Sequence, residues 1–509
     1  MRKSNILKST IAVTAAMLVT RILGLARETV LAWGYGAGMV SDAFITSFNI
    51  PNTILACIGT SLATVYIPLY QENKTDADKF TSNLISILSL VGMILTIVFI
   101  IYPNALVSLF AAGFDKNTYE LTLLFTRIMM LSTIPILLFN VLKAYLQIFS
   151  AFFLATALDA VINALVIFGI FTSKFASSLL LMAYCAVAGN IICFICLLFA
   201  CKKYGFKYVP YLNFKEERIK KVIYLIIPVF IGTAVAELNT IIDRNFASSL
   251  VSGTVSAMNY ANKINGILYS FFSTSIVTVL YPQLVNFVIE DKEAEIKQYI
   301  NKCIIILTYI ILPLSIIIFI FAEMIVRFLF QRGSFTYEDT KMTAECVKMY
   351  AIGYLTVNIN PVLSRVFYAY RDTKTPTKNS IATVILNVLM NVLLVKSFKH
   401  VGLAFSTSVA SVLTTILLLK QLSEKLKGLQ LKEMKRDILK IIASTMPMIL
   451  LLEMAKKYTM NVVKGSISGY LLIAGAVILG LNIYVVCANF LNVEVTLDIK
   501  KTIVNRWRK

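Results

Sequence analysis

The sequence predicts an all-α polytopic membrane protein with about fourteen transmembrane helices. We expect two six-helix lobes around a central cavity, followed by two C-terminal helices. The 509-residue chain is 58% hydrophobic and only 15% charged, whereas soluble domains carry about 25% charged residues. Apolar runs of about 20 residues, enough to cross a bilayer, recur along the whole chain. Because these runs are continuous rather than alternating, a β-barrel is not expected.

The predicted spans follow the apolar runs in order. Their approximate limits are 8–33, 41–70, 80–110, 119–149, 150–172, 177–203, 218–248, 254–289, 296–330, 337–369, 377–397, 400–426, 434–459 and 468–493. Several exceed the bilayer thickness, so we expect them to tilt or to extend beyond it. The basic start "MRKSNILK" is followed by no clear small-residue cleavage site. We therefore expect the first span to remain as a helix rather than to be removed as a signal peptide.

Charged residues are distributed unequally between alternate loops. The formal net charge is +21, with seven lysines and arginines in 201–221, seven in 420–440 and a basic tail at 498–509. The loops expected on the opposite side, 110–119 and 247–254, carry few charges. By the positive-inside rule, both termini lie in the cytoplasm. The basic residues are not gathered on a soluble domain, so nucleic acid is not an expected partner.

The chain also carries signs of an internal duplication. "SLATVYIPLYQE" (61–72) resembles "SIVTVLYPQLVN" (275–286), and "ALDAVINALVIF" (157–168) resembles "VILNVLMNVLLV" (384–395). The second match aligns Asp159 and Asn163 with Asn387 and Asn391; chance similarity between apolar segments is the alternative. Two parallel six-span repeats are typical of transporters. The predicted domains are an N-lobe (1–217), a C-lobe (218–430), and spans 13 and 14 with a basic cytoplasmic tail (431–509).

Neither an enzyme nor a nucleotide-driven pump is indicated. The chain has no GxxxxGK[ST] motif, so we expect an ion gradient or the membrane potential to supply the energy. The eight cysteines fit small buried hydrophobes. The single histidine, His400, makes a histidine-based metal site improbable. We expect no bound cofactor.

Two arginines interrupt the first apolar run. Arg21 and Arg27 would each cost about 2.5–3.5 kcal/mol at a helix centre on insertion scales. Guanidinium groups suit phosphate oxygens, because they offer paired donors and a charge that does not titrate. We therefore expect an anion site in a water-filled cavity. The alternative is snorkelling combined with an internal salt bridge to Glu28.

Other charges at membrane depth make the predicted interior basic overall. They are Asp42, Arg127, Lys143, Asp159, Glu237, Asp243, Arg244, Lys263 and Arg365. An exporter of cationic drugs would instead need acidic and aromatic groups in its cavity. A drug/cation antiporter therefore remains a weaker alternative.

A second set of polar residues suggests a cation site. Asn387 and Asn391 are four residues apart and share a helix face, and Thr407 lies one predicted helix later. Together with the carboxylate of Asp243 they provide hard oxygen ligands suited to Na⁺. Interhelical packing of asparagines is the alternative, and spacing alone favours it slightly.

Several motifs resemble the MurJ (MviN) family of lipid II flippases, within the multidrug/oligosaccharidyl-lipid/polysaccharide exporter superfamily. The most specific is "TRILGLARETVLAWGYGAGMVSDAFITSFNIPNTI", followed by "SLATVYIPLYQE". "IIDRNFASSLVSGTVSAMNYANK" and "VFYAYRDTKTPTK" resemble the later signatures of the family. The resemblance covers essentially the whole chain.

The resemblance implies a cationic cavity for the pyrophosphate and sugars of the lipid, with the lipid tail along the last two spans. The substrate-binding residues it implies are Arg21, Arg27, Glu28, Asp42, Asn52 and Lys263. The sodium pattern it implies comprises Asp243, Asn387, Asn391 and Thr407, with Na⁺ as a candidate coupling ion.

The chain departs from the family pattern at several of these positions. Leu55 and Ala56 stand where a basic pair is common, and Gly266 replaces an acidic residue. Asn391 replaces one aspartate of the sodium pattern. The expected cavity is thus less charged than is typical of the family.

The leading functional hypothesis is a flippase that moves lipid II from the inner to the outer leaflet of the bacterial cytoplasmic membrane by alternating access. Membrane lipids are expected partners, and cell-wall synthesis enzymes are candidate partners. The alternatives are a flippase for another polyprenyl-linked glycan, such as a capsule or teichoic-type precursor, a membrane glycosyltransferase acting on the same lipids, and a non-transporting scaffold.

Overall fold

The computed structural model describes residues 2–72, 76–149, 151–429, 431–462 and 467–496. Within these ranges, side chains are described except at 2–14, 152, 155, 236, 267–280, 282, 431, 460–462 and 467. The basic tail predicted at 498–509 lies outside the described residues. The second member of the repeat at 275–286 is described there mainly by its backbone, which is helical.

All regular secondary structure in the described residues is helical. Its helices are α1 (Arg2–Tyr35), α2 (Met39–Glu72), α3 (Ala77–Ile101), α4 (Pro103–Ala111), α5 (Lys116–Met129), α6 (Thr133–Ile148), α7 (Phe152–Phe175), α8 (Leu180–Lys203), α9 (Glu217–Ser248), α10 (Thr254–Ile289), α11 (Glu293–Phe330), α12 (Tyr337–Ala369), α13 (Lys374–Lys425), α14 (Leu431–Val462) and α15 (Ile467–Phe490). A 3₁₀ turn, Met130–Ser132, joins α5 to α6. The prediction of an all-α polytopic membrane protein is confirmed.

The helices are consistent with the fourteen predicted spans. The third span is divided at Pro103, which occupies the first turn of α4. Proline is tolerated there because the first N–H groups of a helix have no acceptor within the helix. The eleventh and twelfth spans merge into α13, but Lys399 interrupts that helix with φ 50° and ψ −131°. Among the described residues, ten helical segments are long and apolar enough to cross a membrane.

The chain forms two compact units. The first comprises Met1–Tyr260 and Leu329–Thr340, and the second comprises Ala261–Phe328 and Lys341–Lys509. A core of the first unit is built around Tyr66, Phe80 and Tyr145, which are fully buried. The core of the second unit includes α14 and α15, where the buried hydroxyl of Tyr484 donates to the carbonyl oxygen of Tyr309 at 2.8 Å. The last two helices therefore pack within the second unit.

In the first unit, α1 and α7 lie side by side and run parallel. The hydroxyl of Thr20 donates to the carbonyl of Thr156 at 3.2 Å. Further along, the Tyr35 hydroxyl lies 2.8 Å from the Ser173 hydroxyl. Between these two contacts α1 advances by 15 residues and α7 by 17, so the two helices run parallel with nearly the same register. This register fixes the relative heights of the charged side chains described below.

The loop after α11 closes onto the end of α1 within the first unit. The amide of Ser334 donates to the carbonyl oxygen of Trp33 at 2.8 Å. Gly333 next to it has φ +62°, and a Cβ there would lie 2.3 Å from the Trp33 carbonyl oxygen. The position therefore admits only glycine without rearrangement of the loop.

We expect Gly333→Ala to lower the melting temperature of the purified protein. The positive φ alone costs about 1–2 kcal/mol for an L-residue, and the collision with Trp33 adds to it. Gly232→Ala is the matched control, because a Cβ at Gly232 meets nothing within 4 Å. Equal melting temperatures for the two variants would contradict the tight approach of this loop.

Candidate functional site

Arg27 is held by three neighbours in the first unit. Its Nη2 lies 2.5 Å from Glu28 Oε1, its Nη1 donates to Asn163 Oδ1 at 3.2 Å, and its Cζ stands 4.6 Å above the ring centre of Phe48. These partners come from α1, α7 and α2. They fix the guanidinium plane, and the side chain remains 11% exposed.

Glu28 fixes the position of Arg27 and balances its charge. The carboxylate is buried at 2% exposure, and its Oε2 accepts from Asn259 Nδ2 at 3.0 Å. A buried carboxylate needs this combination of a cation and a hydrogen-bond donor. The salt bridge to Glu28, which formed part of the alternative interpretation of these arginines, is therefore present. It leaves Arg27 within the protein rather than turned out to lipid.

Arg27 keeps donor capacity for another anion. A guanidinium has five N–H donors; Glu28 and Asn163 accept one each, which leaves three. Among the described residues, they make no further hydrogen bond. An oxyanion reaching this face would therefore find a fixed, permanently charged donor group.

Arg21 lies in different surroundings. It is exposed, and within the described part of the chain it makes no ion pair. Because α1 is continuous through Gly24, Arg21 lies about 9 Å before Arg27 along the axis and about 120° around it. The two arginines thus offer anion donors at different heights and on different faces of α1.

Asp42 binds the beginning of α10. Its Oδ2 accepts from the amide of Gly253 at 2.7 Å. Its Oδ1 accepts from the amide of Ser256 at 2.7 Å and from the hydroxyl of the same residue. The carboxylate is buried at 2% exposure and complements the positive end of the α10 dipole. The geometry gives Asp42 a clear role in joining α2 to the start of α10.

The remaining two residues of the predicted substrate set lie on α2 and α10. Asn52, one turn after Phe48, is partly buried, and its Nδ2 donates to the Phe48 carbonyl at 2.6 Å. Asn52 and Phe48 share a partly exposed face of α2. Lys263 belongs to the second unit and is partly buried on α10.

Three of the four residues predicted to bind Na⁺ converge in the second unit. Asn387 and Asn391 are fully buried, and Asn391 Nδ2 donates to Asn387 Oδ1 at 2.9 Å. Asn387 Nδ2 lies 3.4 Å from Thr407 Oγ1. Asp243 lies in the first unit and is 9% exposed. The amide and hydroxyl oxygens of the second unit suit a weakly bound hard cation, and the same contacts also serve helix packing.

Reasoning from the sequence missed the groups that hold Arg27. Phe48, Asn163 and Asn259 contact Arg27 or Glu28 from three other helices. One signal was available for Asn163, since the repeat aligns it with Asn391. The two positions differ in their contacts: Asn163 Nδ2 donates to the backbone of Asp159, whereas Asn391 donates to a side chain.

Comparison with known proteins identifies the family. The sequence model described as "Lipid II flippase MurJ" matches residues 31–473. The chain belongs to the MurJ family. This confirms the resemblance found in the motifs, and it is a family of membrane transporters rather than enzymes.

Curated relatives in the MurJ family match most of the chain. The "Probable lipid II flippase MurJ" of Buchnera aphidicola subsp. Acyrthosiphon pisum is 30% identical over 88% of this chain and 90% of its own length. The "Lipid II flippase MurJ" of Burkholderia cenocepacia is 27% identical over 81% of this chain and 83% of its own length.

Solved structures support the same fold. A structure titled "Lipid II flippase MurJ, inward closed conformation" has a TM-score of 0.82 at 22% identity, over 94% of this chain and 98% of its own. An inward-facing multidrug-resistance MATE transporter has a TM-score of 0.68 at 14% identity, over 82% of this chain and 98% of its own. The MurJ fold is thus shared with drug transporters, and the fold alone does not define the cargo.

Proposed function

We propose that this MurJ-family chain moves lipid II, the undecaprenyl-pyrophosphate-linked precursor of peptidoglycan, from the inner to the outer leaflet of the bacterial cytoplasmic membrane. The observation that carries the proposal is the environment of Arg27: a fixed guanidinium at membrane depth with three N–H donors left for an oxyanion. A pyrophosphate offers several acceptor oxygens to such a group.

The proposed substrate set has divided roles. In the first unit, Arg27 binds the pyrophosphate and the exposed Arg21 adds positive charge. In the second unit, the partly buried Lys263 is a further proposed contact for the substrate. Glu28 orients Arg27, and Asn52 offers an amide to the sugars. The carboxylate oxygens of Asp42 accept hydrogen bonds from the start of α10. Asp42 therefore has a structural role in the first unit rather than a contact with the substrate.

The proposed mechanism is alternating access. MATE transporters of this fold have been solved in structures titled inward-facing and outward-facing. A net charge moved through the membrane field gains about 2.3 kcal/mol per 100 mV, and this corresponds to a population ratio of about fifty. A membrane potential is therefore sufficient to reset an empty carrier. Both termini are proposed to face the cytoplasm, in keeping with the basic loops.

Na⁺ is the proposed coupling ion, with Asn387, Asn391 and Thr407 of the second unit as its proposed ligands. Replacing external Na⁺ with choline at constant membrane potential should slow lipid II transport in reconstituted vesicles several-fold. Asn391→Leu should remove that dependence, because it deletes an amide ligand. The control is Asn482→Leu, on the exposed face of α15. Transport at the same rate in choline as in Na⁺ would contradict Na⁺ coupling while leaving the proposed cargo intact.

The proposed cargo is tested by complementation. Expression of this chain in a strain depleted of its own lipid II flippase should restore growth and the exposure of lipid II at the outer leaflet. Growth arrest despite normal membrane insertion, together with the accumulation of another carrier-linked glycan in a deletion strain, would contradict it. That result would favour a flippase for a capsule or teichoic-type precursor.

One observation supports that second candidate. Ala56 lies one turn after Asn52 on the partly exposed face of α2, where the MurJ pattern has a basic residue. The neighbouring Leu55 is buried at 2% exposure. This face therefore carries less positive charge, which would suit a headgroup with fewer anionic groups than lipid II.

A further inference from the structure

A second pair of charges lies near Arg27 in the first unit and has no assigned role. Lys143 Nζ on α6 lies 3.0 Å from Asp159 Oδ2 on α7. The side chains are 27% and 34% exposed, although both belong to helical segments long and apolar enough to cross a membrane. Charges at such depth usually serve a polar path or bind a partner.

The pair lies on the same side of α7 as the Arg27 site. Asp159 and Asn163 are one turn apart, about 40° around the helix. Asn163 reaches Arg27 on α1, and Asp159 reaches Lys143 on α6. The strongly exposed phenylalanines of α7 lie on another side, about 120–180° from Asp159. They are Phe153, Phe168 and Phe175.

This arrangement separates a polar face of α7 from its apolar, lipid-compatible face. The polar face is bounded by α1 and α6, and Phe48 of α2 lies beneath Arg27. The exposed parts of the Lys143 and Asp159 side chains therefore lie on this polar face rather than on the lipid-compatible one. Lys143 and Arg27 are accordingly reachable from the same side of the first unit.

The register of α1 and α7 gives the order of the two cations. Thr20 pairs with Thr156 and Arg27 pairs with Asn163, so both helices advance together. Asp159 precedes Asn163 by about 6 Å along the axis, toward the beginning of α7. With the positive-inside orientation, that beginning faces the cytoplasm. A group moving outward along this face meets Lys143 before Arg27.

We propose that Lys143 forms a second anion-binding subsite, which receives an anionic oxygen group of the lipid-linked substrate before Arg27 does; this rests on the proposed function. The lysine ammonium has three donors, and Asp159 accepts one of them. Among the described residues, the others have no acceptor. Asp159 balances the charge while the subsite is empty, and a phosphate or carboxylate of the substrate displaces it.

The test compares two changes that each neutralise one partner of the pair. If the salt bridge were purely structural, both changes would affect lipid II binding equally. Binding of lipid II to the purified full-length protein in nanodiscs is measured for Lys143→Gln and for Asp159→Asn. Lys143→Gln should raise Kd about fivefold, the size of a partly exposed ion pair. Asp159→Asn should leave Kd unchanged or lower it, because a competing anion is removed.

Two further variants serve as controls. Lys143→Arg keeps the charge and should restore binding. Lys292→Gln removes an exposed lysine that pairs with Glu290 at 2.6 Å on a loop outside the transmembrane segments, and it should not change Kd. The melting temperature of each variant is recorded, so that a loss of folding is distinguished from a loss of binding.

Measuring Kd for two ligands, undecaprenyl pyrophosphate and lipid II, shows which part of the substrate supplies the anionic group. If it is the pyrophosphate, Lys143→Gln weakens binding of undecaprenyl pyrophosphate as much as binding of lipid II. If it is a peptide carboxylate, only lipid II is affected. Both outcomes support the subsite.

Equal losses of binding in Lys143→Gln and Asp159→Asn, or no loss in either, would overturn the subsite. Arg27→Ala is measured in parallel. If Arg27→Ala weakens binding while Lys143→Gln does not, the subsite fails and the proposed function stands. If Arg27→Ala binds lipid II as the wild type does, the proposed function itself fails.

Discussion

Arg27→Ala is expected to abolish lipid II translocation while the protein remains folded and inserted. The change removes the guanidinium that Glu28, Asn163 and Phe48 hold in place. It also leaves the carboxylate of Glu28 without its cation, so the site changes from balanced to negative. A negative site repels a pyrophosphate in addition to losing its donors. We expect transport to fall at least about a hundredfold, as for other losses of charge-assisted hydrogen bonds to a desolvated anion.

Two variants separate this effect from general damage. Arg27→Lys keeps the charge but loses the planar fork, so partial activity is expected. Arg127→Ala is the matched control, because Arg127 is also an arginine in a transmembrane segment but is exposed on α5 and makes no described contact with Arg27. Full growth of a flippase-depleted strain with Arg27→Ala, at normal protein level, would contradict the assignment.

Asp42→Ala is expected to cause the second large effect, on stability. The change leaves the amides of Gly253 and Ser256 and the hydroxyl of Ser256 without their buried acceptor. Hydrogen bonds to a charged group contribute about 1.5–3 kcal/mol, and unsatisfied buried donors add a further cost. A loss of roughly 3 kcal/mol in the free energy of unfolding is therefore expected. Thermal unfolding of the purified protein in detergent measures it.

Glu290→Ala provides the comparison for Asp42→Ala. Glu290 is a half-exposed carboxylate that pairs with Lys292, and its removal should change stability by less than about 1 kcal/mol. Should Asp42→Ala unfold at the same temperature as Glu290→Ala, Asp42 would not anchor the start of α10. A direct role of Asp42 in substrate binding would then become the better explanation of its place in the predicted set.

The sequence predicts the fold well because membrane spans are local features. A run of about 20 apolar residues is helical in lipid whatever surrounds it, since its backbone groups have no other partners. The interruptions were predicted less completely. A break between the eleventh and twelfth spans was expected near Lys399, whereas the division at Pro103 within the third span was not anticipated.

The site was predicted only in part, because spacing along one helix is a local feature whereas the partners of a side chain come from other helices. Spacing along α1 identifies two unfavourable arginines, and it gives the angle between them. It does not tell which of them meets Asn163 or Phe48, since those partners come from other helices. The same limit applies to Asp42: its place at the start of α2 is visible in the sequence, but its bonds to Gly253 and Ser256 depend on tertiary packing.

Transport by the reconstituted protein tests the central claim most directly. Vesicles containing the purified chain and labelled lipid II on one leaflet are given a membrane potential, and the label reaching the opposite leaflet is followed with a membrane-impermeant reagent. We expect potential-dependent transfer by the wild type and by Arg127→Ala, and none by Arg27→Ala. Transfer by Arg27→Ala at the wild-type rate would contradict the claim that the guanidinium held between Glu28, Asn163 and Phe48 binds the pyrophosphate.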